Sequence, residues 1–572
     1  MSELPYSYHT FLFPFLWNDG GKTEAKEFEK VLSVGKRWFE ISREKGKISE
    51  DKSKEEWLQD YAAYQYFTEP ANAAIFNTRE DNVVRCFEYR YCEKFSRIDG
   101  KYIITKGGEV FTLDINNIRM HVYDSGVAIL ILELENNEKK HESLDAVNKI
   151  NEYGRRINLP FITPGGSHPV CADRIEIKFC GNDYQHEDYM ETLNNFNNDF
   201  DNYRTQMSLD FIMQPIQKLI DGGGEDNDGY EVTTKPGNAE ENQKKLFIRP
   251  CVDDRMFVCC LVASEALSKE IKGLNAEGYS FLHGWDKRLR ANLEGEVVDG
   301  NGGIHSDYME GWADETYLAN RLYKFLFIEK DVTCQNTEMK KELLRESIYR
   351  RWIDTGTLYA TTHHSLMCIA HPQVEDSVIV PFLTEYIQLA ILVLAQRATI
   401  LAISGEAAAV ANGLVGENIT PEQIEEIEKL QAKYVKVQNQ LFLTEATVQE
   451  QGVELYGKIK EHLYIGTNKA ELDGQMSNIR DVANISNDRL ERKNDDQLNF
   501  MLAVVSVFAL ILAVLQVAPA FCSDTEFSPY RLGSVFVGAG IAISIVVVTL
   551  LIRKLWLMLI KKIKNRKSRR EK

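Results

Sequence analysis

Positive charge is scarce in this chain until its last twenty residues. Lys and Arg number 67 against 85 Asp and Glu, a formal charge of −18. The closing stretch RKLWLMLIKKIKNRKSRREK holds ten Lys or Arg and one Glu, so residues 1–552 carry −27. A body that acidic lacks the basic face that nucleic acid requires, which excludes direct nucleic-acid binding. Familiar catalytic motifs are missing too. No GxxxxGKS or GxxxxGKT, HExxH, GxSxG or paired CxxC occurs, and the commonest nucleotide hydrolase, zinc protease, serine hydrolase and zinc-finger readings fall with them. No enzyme, metal site or cofactor is expected. His363-His364 and His371 read as structural histidines rather than ligands. The ten cysteines show no metal spacing and read as small buried hydrophobes of a reducing compartment. The opening MSELPYSYHTFLFPFLWNDGG has neither a basic n-region nor a small-residue cleavage site, so no signal peptide is expected.

What is abundant, near the C-terminal end, is uninterrupted apolar sequence. FMLAVVSVFALILAVLQVAP (500–519) and LGSVFVGAGIAISIVVVTLLI (532–552) carry no charge. About 20 apolar residues in a helix cross the hydrocarbon layer of a bilayer, and core helices seldom stay apolar on every side for so long. The pair predicts a transmembrane hairpin with a short outer loop at 520–531. The basic tail at 553–572 suits anionic headgroups and, by the positive-inside rule, stays in the cytoplasm of a bacterial cell. Two spans bring the N-terminal body to the same side of that inner membrane.

Within the body, residues 85–135 are strand-rich, and the nearly all-aliphatic VAILILEL is expected to be covered on both faces. LDAVNKINEYG reads as a helix stopped at Gly154. RIEIKFCG, KLFIRP and RMFVCCLVAS read as further strands. A polar Gly-rich stretch lies between the first two of these. The expectation is an α/β or α+β domain over 1–330, followed by a helical region over 331–418. In the latter, PFLTEYIQLAILVLAQRATILAISGEAAAVA is apolar enough to mimic a span. Glu385, Gln388, Gln396 and Arg397 interrupt it, which predicts a buried helix. A stalk follows over 419–499. Ile427, Leu430, Tyr434, Val437 and Leu441 begin a heptad-like pattern that IGTN (465–468) interrupts and that Leu472, Met476, Ile479 and Val482 continue.

A cytoplasmic domain, a stalk running into the first span, a short outer loop, a second span and a basic end together resemble the CorA superfamily of divalent-cation channels. The resemblance implies a homopentamer with the first span lining a pore. Asn499, Ser506 and Ala513, spaced at seven, with Gln516 just off their line, are the pore-lining candidates; the rest of the span would gate by apolar constriction. The transporters carry Gly-Met-Asn at the end of the first span, where this chain reads Val517-Ala518-Pro519. Selective Mg²⁺ uptake is therefore not expected, although a divalent-cation channel with an altered filter is the alternative, and a membrane-tethered scaffold a third. YHTFLFPFLW, GTLYATTHHS and FLTEYIQLAILVLAQRATIL resemble the CorA-like membrane effectors associated with type III CRISPR systems. That likeness implies a nucleotide second messenger of the S-adenosylmethionine–AMP type, bound in the cytoplasmic domain. Its binding would open or disrupt the inner membrane as an antiviral response.

Such a ligand needs cations for phosphate, an acid for hydroxyls or an ammonium, and an apolar slot for adenine. Two places offer them. Arg155-Arg156, just past the helix stop and ahead of a Gly-rich loop, could clamp a phosphate; equally, they could balance the dipole of the helix end. Arg249, Asp253, Asp254 and Arg255 sit in a charged turn between two apolar strands, which could line a cleft or be a solvated hairpin tip. Asp221, at the head of the Gly-rich stretch, is a further acid candidate.

Overall fold

The computed structural model describes residues 4–18, 38–41, 61–76, 83–89, 100–156, 171–179, 189–195, 229–233, 243–251, 255–273, 318–413, 420–521 and 540. Fourteen strands join into one sheet. They are β1 (Ser7–Asn18), β2 (Trp38–Glu40), β3 (Val84–Tyr89), β4 (Gly100–Lys106), β5 (Glu109–Tyr123), β6 (Val127–Asn136) and β7 (Arg174–Phe179). The others are β8 (Tyr189–Asn195), β9 (Gly229–Thr233), β10 (Gln243–Pro250), β11 (Phe257–Ala263), β12 (Ile348–Tyr349), β13 (Leu358–Thr361) and β14 (Ser365–Ala370). The principal order is β12-β13-β14-β11-β1-β6-β5-β4-β7-β8. Every pairing is antiparallel except β11 with β14, so this mixed α/β chain stands on the α+β side of the expectation.

β1 is the central strand. One edge lies along β6, while the other pairs with β11 through Leu12 and with β10 from Phe15 onward. Proline has no N–H to give a ladder and is normally excluded from central strands. Pro14 falls in the gap between the two partners, and its carbonyl, which points to that side, accepts from Cys251 N at 3.1 Å. Its missing donor therefore costs no ladder bond. The β6 run expected to be covered on both faces is so: Val127 to Leu132 are all buried.

The helices are α1 (Glu69–Ile75), α2 (Leu144–Gly154), α3 (Glu265–Gly273) and α4 (Thr337–Ser347), with a further helical stretch over 318–327. Then come α5 (Ile387–Gly413), α6 (Pro421–Leu441), α7 (Glu450–His462) and α8 (Ile465–Phe521). Ser143 caps α2 by accepting from Ala146 N, and Val147 and Ile150 bury its apolar face in the sheet's core. Gly154, the last residue of α2, is glycine for a steric reason. A Cβ there would come within 2.8 Å of Ile104 Cδ1, and Tyr102 donates its hydroxyl to the Gly154 carbonyl at 2.9 Å. α5, entered through two π-helical turns, is buried along most of its length, as its interrupted apolar pattern predicts.

Two expectations need correction. The region 331–418 is not purely helical: β12, β13 and β14 lie within it and extend the same sheet. Nor is the stalk over 419–499 one helix. It is divided into α6, α7 and α8, with one break at 442–449, where Thr447 bridges to Phe67, and another at Leu463-Tyr464. Tyr464 takes a left-handed φ of +54°, which ends α7, and IGTN, rather than breaking a helix, begins α8.

Residues 1–413 and 428–477 form one compact unit, and residues 414–427 with 478–572 a second. The second apolar run, 532–552, the outer loop after Phe521 and the basic tail lie outside the described residues apart from Gly540. Two helical stretches are long and apolar enough to cross a membrane by length and composition, 375–413 and 465–513.

Candidate functional site

The C-terminal end of α2 is where the chain concentrates buried cations. Arg155 is the C-cap of α2, and only 1% of it is exposed; Arg156 is likewise buried. Glu152, one turn earlier, reaches both. Its Oε2 lies 2.9 Å from Arg155 Nη2 and its Oε1 2.7 Å from Arg156 Nη1, while Arg156 Nη1 also donates to the Glu152 carbonyl at 3.1 Å. The spacings i, i+3 and i, i+4 place all three on one face of the helix end, so a single carboxylate serves two guanidiniums.

Arg155 Nη2 further donates to the carbonyl of Ile328 at 3.0 Å. Ile328 follows the helical stretch at 318–327 and has φ +53°, a conformation that glycine ordinarily supplies at a helix end and that crowds a β-branched side chain. Glu329 N closes the same turn onto Lys324 O, and Asn148 of α2 donates to the Glu329 carbonyl at 2.8 Å. α2 thus holds a strained turn in place through two side chains. Strain of this kind costs on the order of 1–3 kcal/mol and persists where its surroundings fix it.

Both bonds of Arg155 come from one nitrogen. Among the described residues, its buried Nε and Nη1 find no hydrogen-bond partner. Burial pushes the Arg155 guanidinium down to about 10; Glu152 opposes the shift, whereas Arg156 and Arg255 deepen it. A charged group in that state is held away from water with its donors unanswered, a costly arrangement in a folded protein.

β11 and β14 add the remaining members. Met256 N donates to the Arg155 carbonyl at 2.8 Å, which sets Arg255 beside the helix end. Val258 N donates to the carbonyl of His364 at 3.0 Å, which brings the β13–β14 turn to the same place. Thr362 and Ser365 hydrogen-bond across that turn at 2.7 Å and fix its two histidines. His363 and His364 meet edge-to-face, 4.8 Å between ring centres. Burial and the charges of Arg255, Arg155 and Arg397 keep the His364 imidazole neutral, its pKa pushed down to about 2. Arg397, from α5, donates to His363 Nε2 at 2.8 Å. Arg255, His363, His364 and Arg397 are partly exposed, while Arg155 and Arg156 lie beneath the surface.

Arg255, from the second candidate place of the sequence, therefore lies beside Arg155 and Arg156 of the first, because β11 starts against the end of α2. Arg155, Arg156 and Arg255 belong to it. Arg249 lies on β10 opposite Leu16 of β1. Asp221, Asp253 and Asp254 fall outside the described residues. Glu152, His364 and Arg397 were not singled out from the sequence as site residues. Arg397 alone left a signal there, as a charge inside an otherwise apolar helix. Among the described residues no group of three or more His, Cys, Asp or Glu is placed to hold a metal ion. Of the pore-lining candidates, Asn499 and Ser506 are exposed on α8, Ala513 is half-buried, and the Gln516 side chain is outside the description. Ser506 Oγ donates to the Leu502 carbonyl of its own helix at 2.7 Å.

The cluster's fixed guanidiniums, neutral imidazole and buried unanswered donors are chemistry suited to an anion, and among the described residues it includes no nucleophile–base pair. Cys259 and Cys260 on β11 are buried, and burial raises both thiols, Cys260 to about 12, which leaves them unreactive at neutral pH. Compared with known proteins, the chain matches no family model, and no curated protein or solved structure is similar to it.

Proposed function

We propose that this chain is a membrane-anchored receptor and effector, in which the cationic cluster at the end of α2 takes the phosphate of an anionic second messenger. The observation that carries the reading is the Arg155 guanidinium, buried with Nε and Nη1 unanswered amid other cations. A phosphate oxygen would answer those donors, and each charge-assisted bond is worth ~1.5–3 kcal/mol. The neutral His364 and the partly exposed Arg397 and Arg255 would meet the rest of the molecule. The exposed apolar stretch of α8, with Phe500, Met501, Phe508 and Leu510 each more than three-fifths exposed, supports membrane association.

The resemblance to CorA-like effectors of type III CRISPR systems extends this reading. The messenger is then of the S-adenosylmethionine–AMP type, the assembly a homopentamer in the bacterial inner membrane with both termini cytoplasmic, and the outcome an opening or disruption of that membrane that arrests phage growth. The messenger changes the membrane part only through its different affinities for the closed and open states.

Calorimetric titration of the detergent-solubilised full chain with S-adenosylmethionine–AMP tests the binding. Changing Arg155 and Arg156 together to Lys keeps the charge but removes the guanidinium geometry, and should weaken binding about 100-fold, equivalent to ~2.7 kcal/mol. Equal affinity in wild type and variant, with both folded, would overturn the site.

A further inference from the structure

Arg155 is both the cation with spare donors and the residue that holds the strained turn at Ile328. A guanidinium is planar, and each of its two flat edges pairs one nitrogen with Nη2: Nε with Nη2 along the side, Nη1 with Nη2 at the tip. Among the described residues Nε and Nη1 find no partner. Nη2 has two hydrogens and two acceptors, Glu152 Oε2 at 2.9 Å and the Ile328 carbonyl at 3.0 Å. A ligand that presents a single oxygen can meet Nε or Nη1 and leave both of those bonds intact. One that grips an edge with two oxygens must take a hydrogen of Nη2, and one of its present acceptors must leave.

We propose that the ligand is an oxoanion with two terminal oxygens on one phosphorus, which grips an edge of Arg155, displaces the Ile328 carbonyl and so releases the strained turn. This regulation rests on the anion-site reading above. Which acceptor leaves follows from charge and strain. Glu152 is a carboxylate, whose charge-assisted bond is about twice as strong as one to a neutral acceptor, and Arg156 holds its other oxygen at 2.7 Å. The Ile328 carbonyl is neutral, and its release lets a β-branched residue leave a φ of +53°. The turn then keeps Asn148 on the Glu329 carbonyl at 2.8 Å and Ser365 Oγ on the Leu326 carbonyl at 2.6 Å. From the turn the chain continues into α4, whose Lys340 reaches back to Asn320 at 2.6 Å, and directly on into β12. Tyr349 of β12 donates its hydroxyl to Glu454 of α7, the helix that precedes α8.

Hydrogen exchange in the full chain tests this at the Glu329 amide, which closes the turn onto Lys324 O, with inorganic pyrophosphate as the ligand. In wild type, saturating pyrophosphate should speed exchange at Glu329 at least tenfold, with β5 unchanged. Arg155→Lys puts three hydrogens on a point charge with no edge to grip, so an anion can be met without displacing the carbonyl. That variant should bind pyrophosphate about tenfold more weakly and keep Glu329 slow even when saturated. Ile328→Leu keeps the buried volume and removes the branch that crowds a left-handed residue. Its free turn should exchange more slowly, and pyrophosphate, gaining less from the release, should bind about threefold more weakly. Pyrophosphate that binds wild type and leaves Glu329 slow overturns the release but not the site. Failure of pyrophosphate to bind wild type overturns both. Should Arg155→Lys not fold, or exchange fast without ligand, Ile328→Leu decides, and an affinity equal to wild type there overturns the release.

Discussion

Two helical stretches of nearly equal apolarity meet opposite fates in this chain. Of the most apolar window in 375–413, 67% is buried inside the protein; of that in 465–513, only 6% is. Length and composition do not separate them. What separates them is whether the polar residues they carry are answered by other elements. In α5, Gln396 Nε2 donates to the Leu441 carbonyl and the Tyr456 hydroxyl, both at 2.9 Å, and Thr399 meets Ser125 at 2.9 Å. In α8, the apolar stretch has a single hydroxyl, Ser506, and it bonds back to its own helix. Polar side chains that reach across to sheet and helices mark a core helix. A helix whose backbone and side-chain needs close within itself is suited to lipid.

The comparison breaks first at charge insertion. Leu392 is fully buried in α5, and Leu392→Arg buries an unpaired cation, so the body should fail to fold and no sharp melting transition should remain. Leu510→Arg, on the exposed side of α8, should leave the body's melting temperature unchanged. It should also lower the alkali-resistant membrane fraction about 100-fold, as ~3 kcal/mol for Arg at a span's centre implies. If Leu510→Arg unfolds the body, α8 is a core helix too.

Next comes the carboxylate shared by two guanidiniums. Glu152→Gln leaves Arg155 and Arg156 without their buried counter-charge and should cost ~3–5 kcal/mol of stability. Millimolar pyrophosphate should restore most of it, more than it stabilises wild type, when melting is followed with and without the anion. A variant as stable as wild type, or one indifferent to pyrophosphate, would show that the cluster is not short of anion.

A smaller effect is expected from pH. His9 of β1 is fully buried between Ser7 Oγ at 2.9 Å and Asn151 Oδ1 at 2.7 Å, and burial lowers its pKa from 6.5 to about 4. Between those values the unfolded chain binds a proton that the folded chain refuses. The stability is therefore fully present above pH 6.5 and is lost as pH falls from 6.5 towards 4, by up to ~3 kcal/mol. Denaturant melts of the body should show this slope, and His9→Gln should flatten it. The α8 run from Phe500 to Ala518 has no titrating group, so its membrane insertion should not follow that slope.

The smallest contrast sharpens the comparison most finely. Thr399→Val in α5 strands a buried Ser125 hydroxyl and should cost ~1–2 kcal/mol, whereas Ser506→Ala in α8 should stay within ~0.5 kcal/mol. Equal costs in matched melts would remove the distinction.

Much of this was legible in the sequence, and the reasons differ by region. The strands of 85–135 announce themselves by alternation and by the aliphatic run of β6. Gly154 marks the end of α2, and Gln396 and Arg397 betray α5 as a core helix. The strands LYAT and SLMCIA were hidden, because short, wholly buried apolar runs have no period that distinguishes strand from helix. The division of the stalk was hidden at 442–449, where the break depends on Thr447 meeting Phe67, far away in sequence. At the site, Arg155, Arg156 and Arg255 were visible as charges next to structural stops. That they form one cluster was not visible, since it depends on β11 docking against the end of α2. Glu152 looked like any helical acid, and His364 like a structural histidine.

The central claim is that an anion bound at Arg155 alters the membrane. Release of a self-quenched dye from vesicles carrying the full chain measures it directly. On addition of S-adenosylmethionine–AMP, wild-type vesicles should empty over the concentration range in which the messenger binds. Vesicles with an equal amount of the Arg155→Lys, Arg156→Lys variant should need about 100-fold more. Messenger that binds the reconstituted chain while the vesicles stay sealed, or dye release that is the same in both at every concentration, would contradict the account.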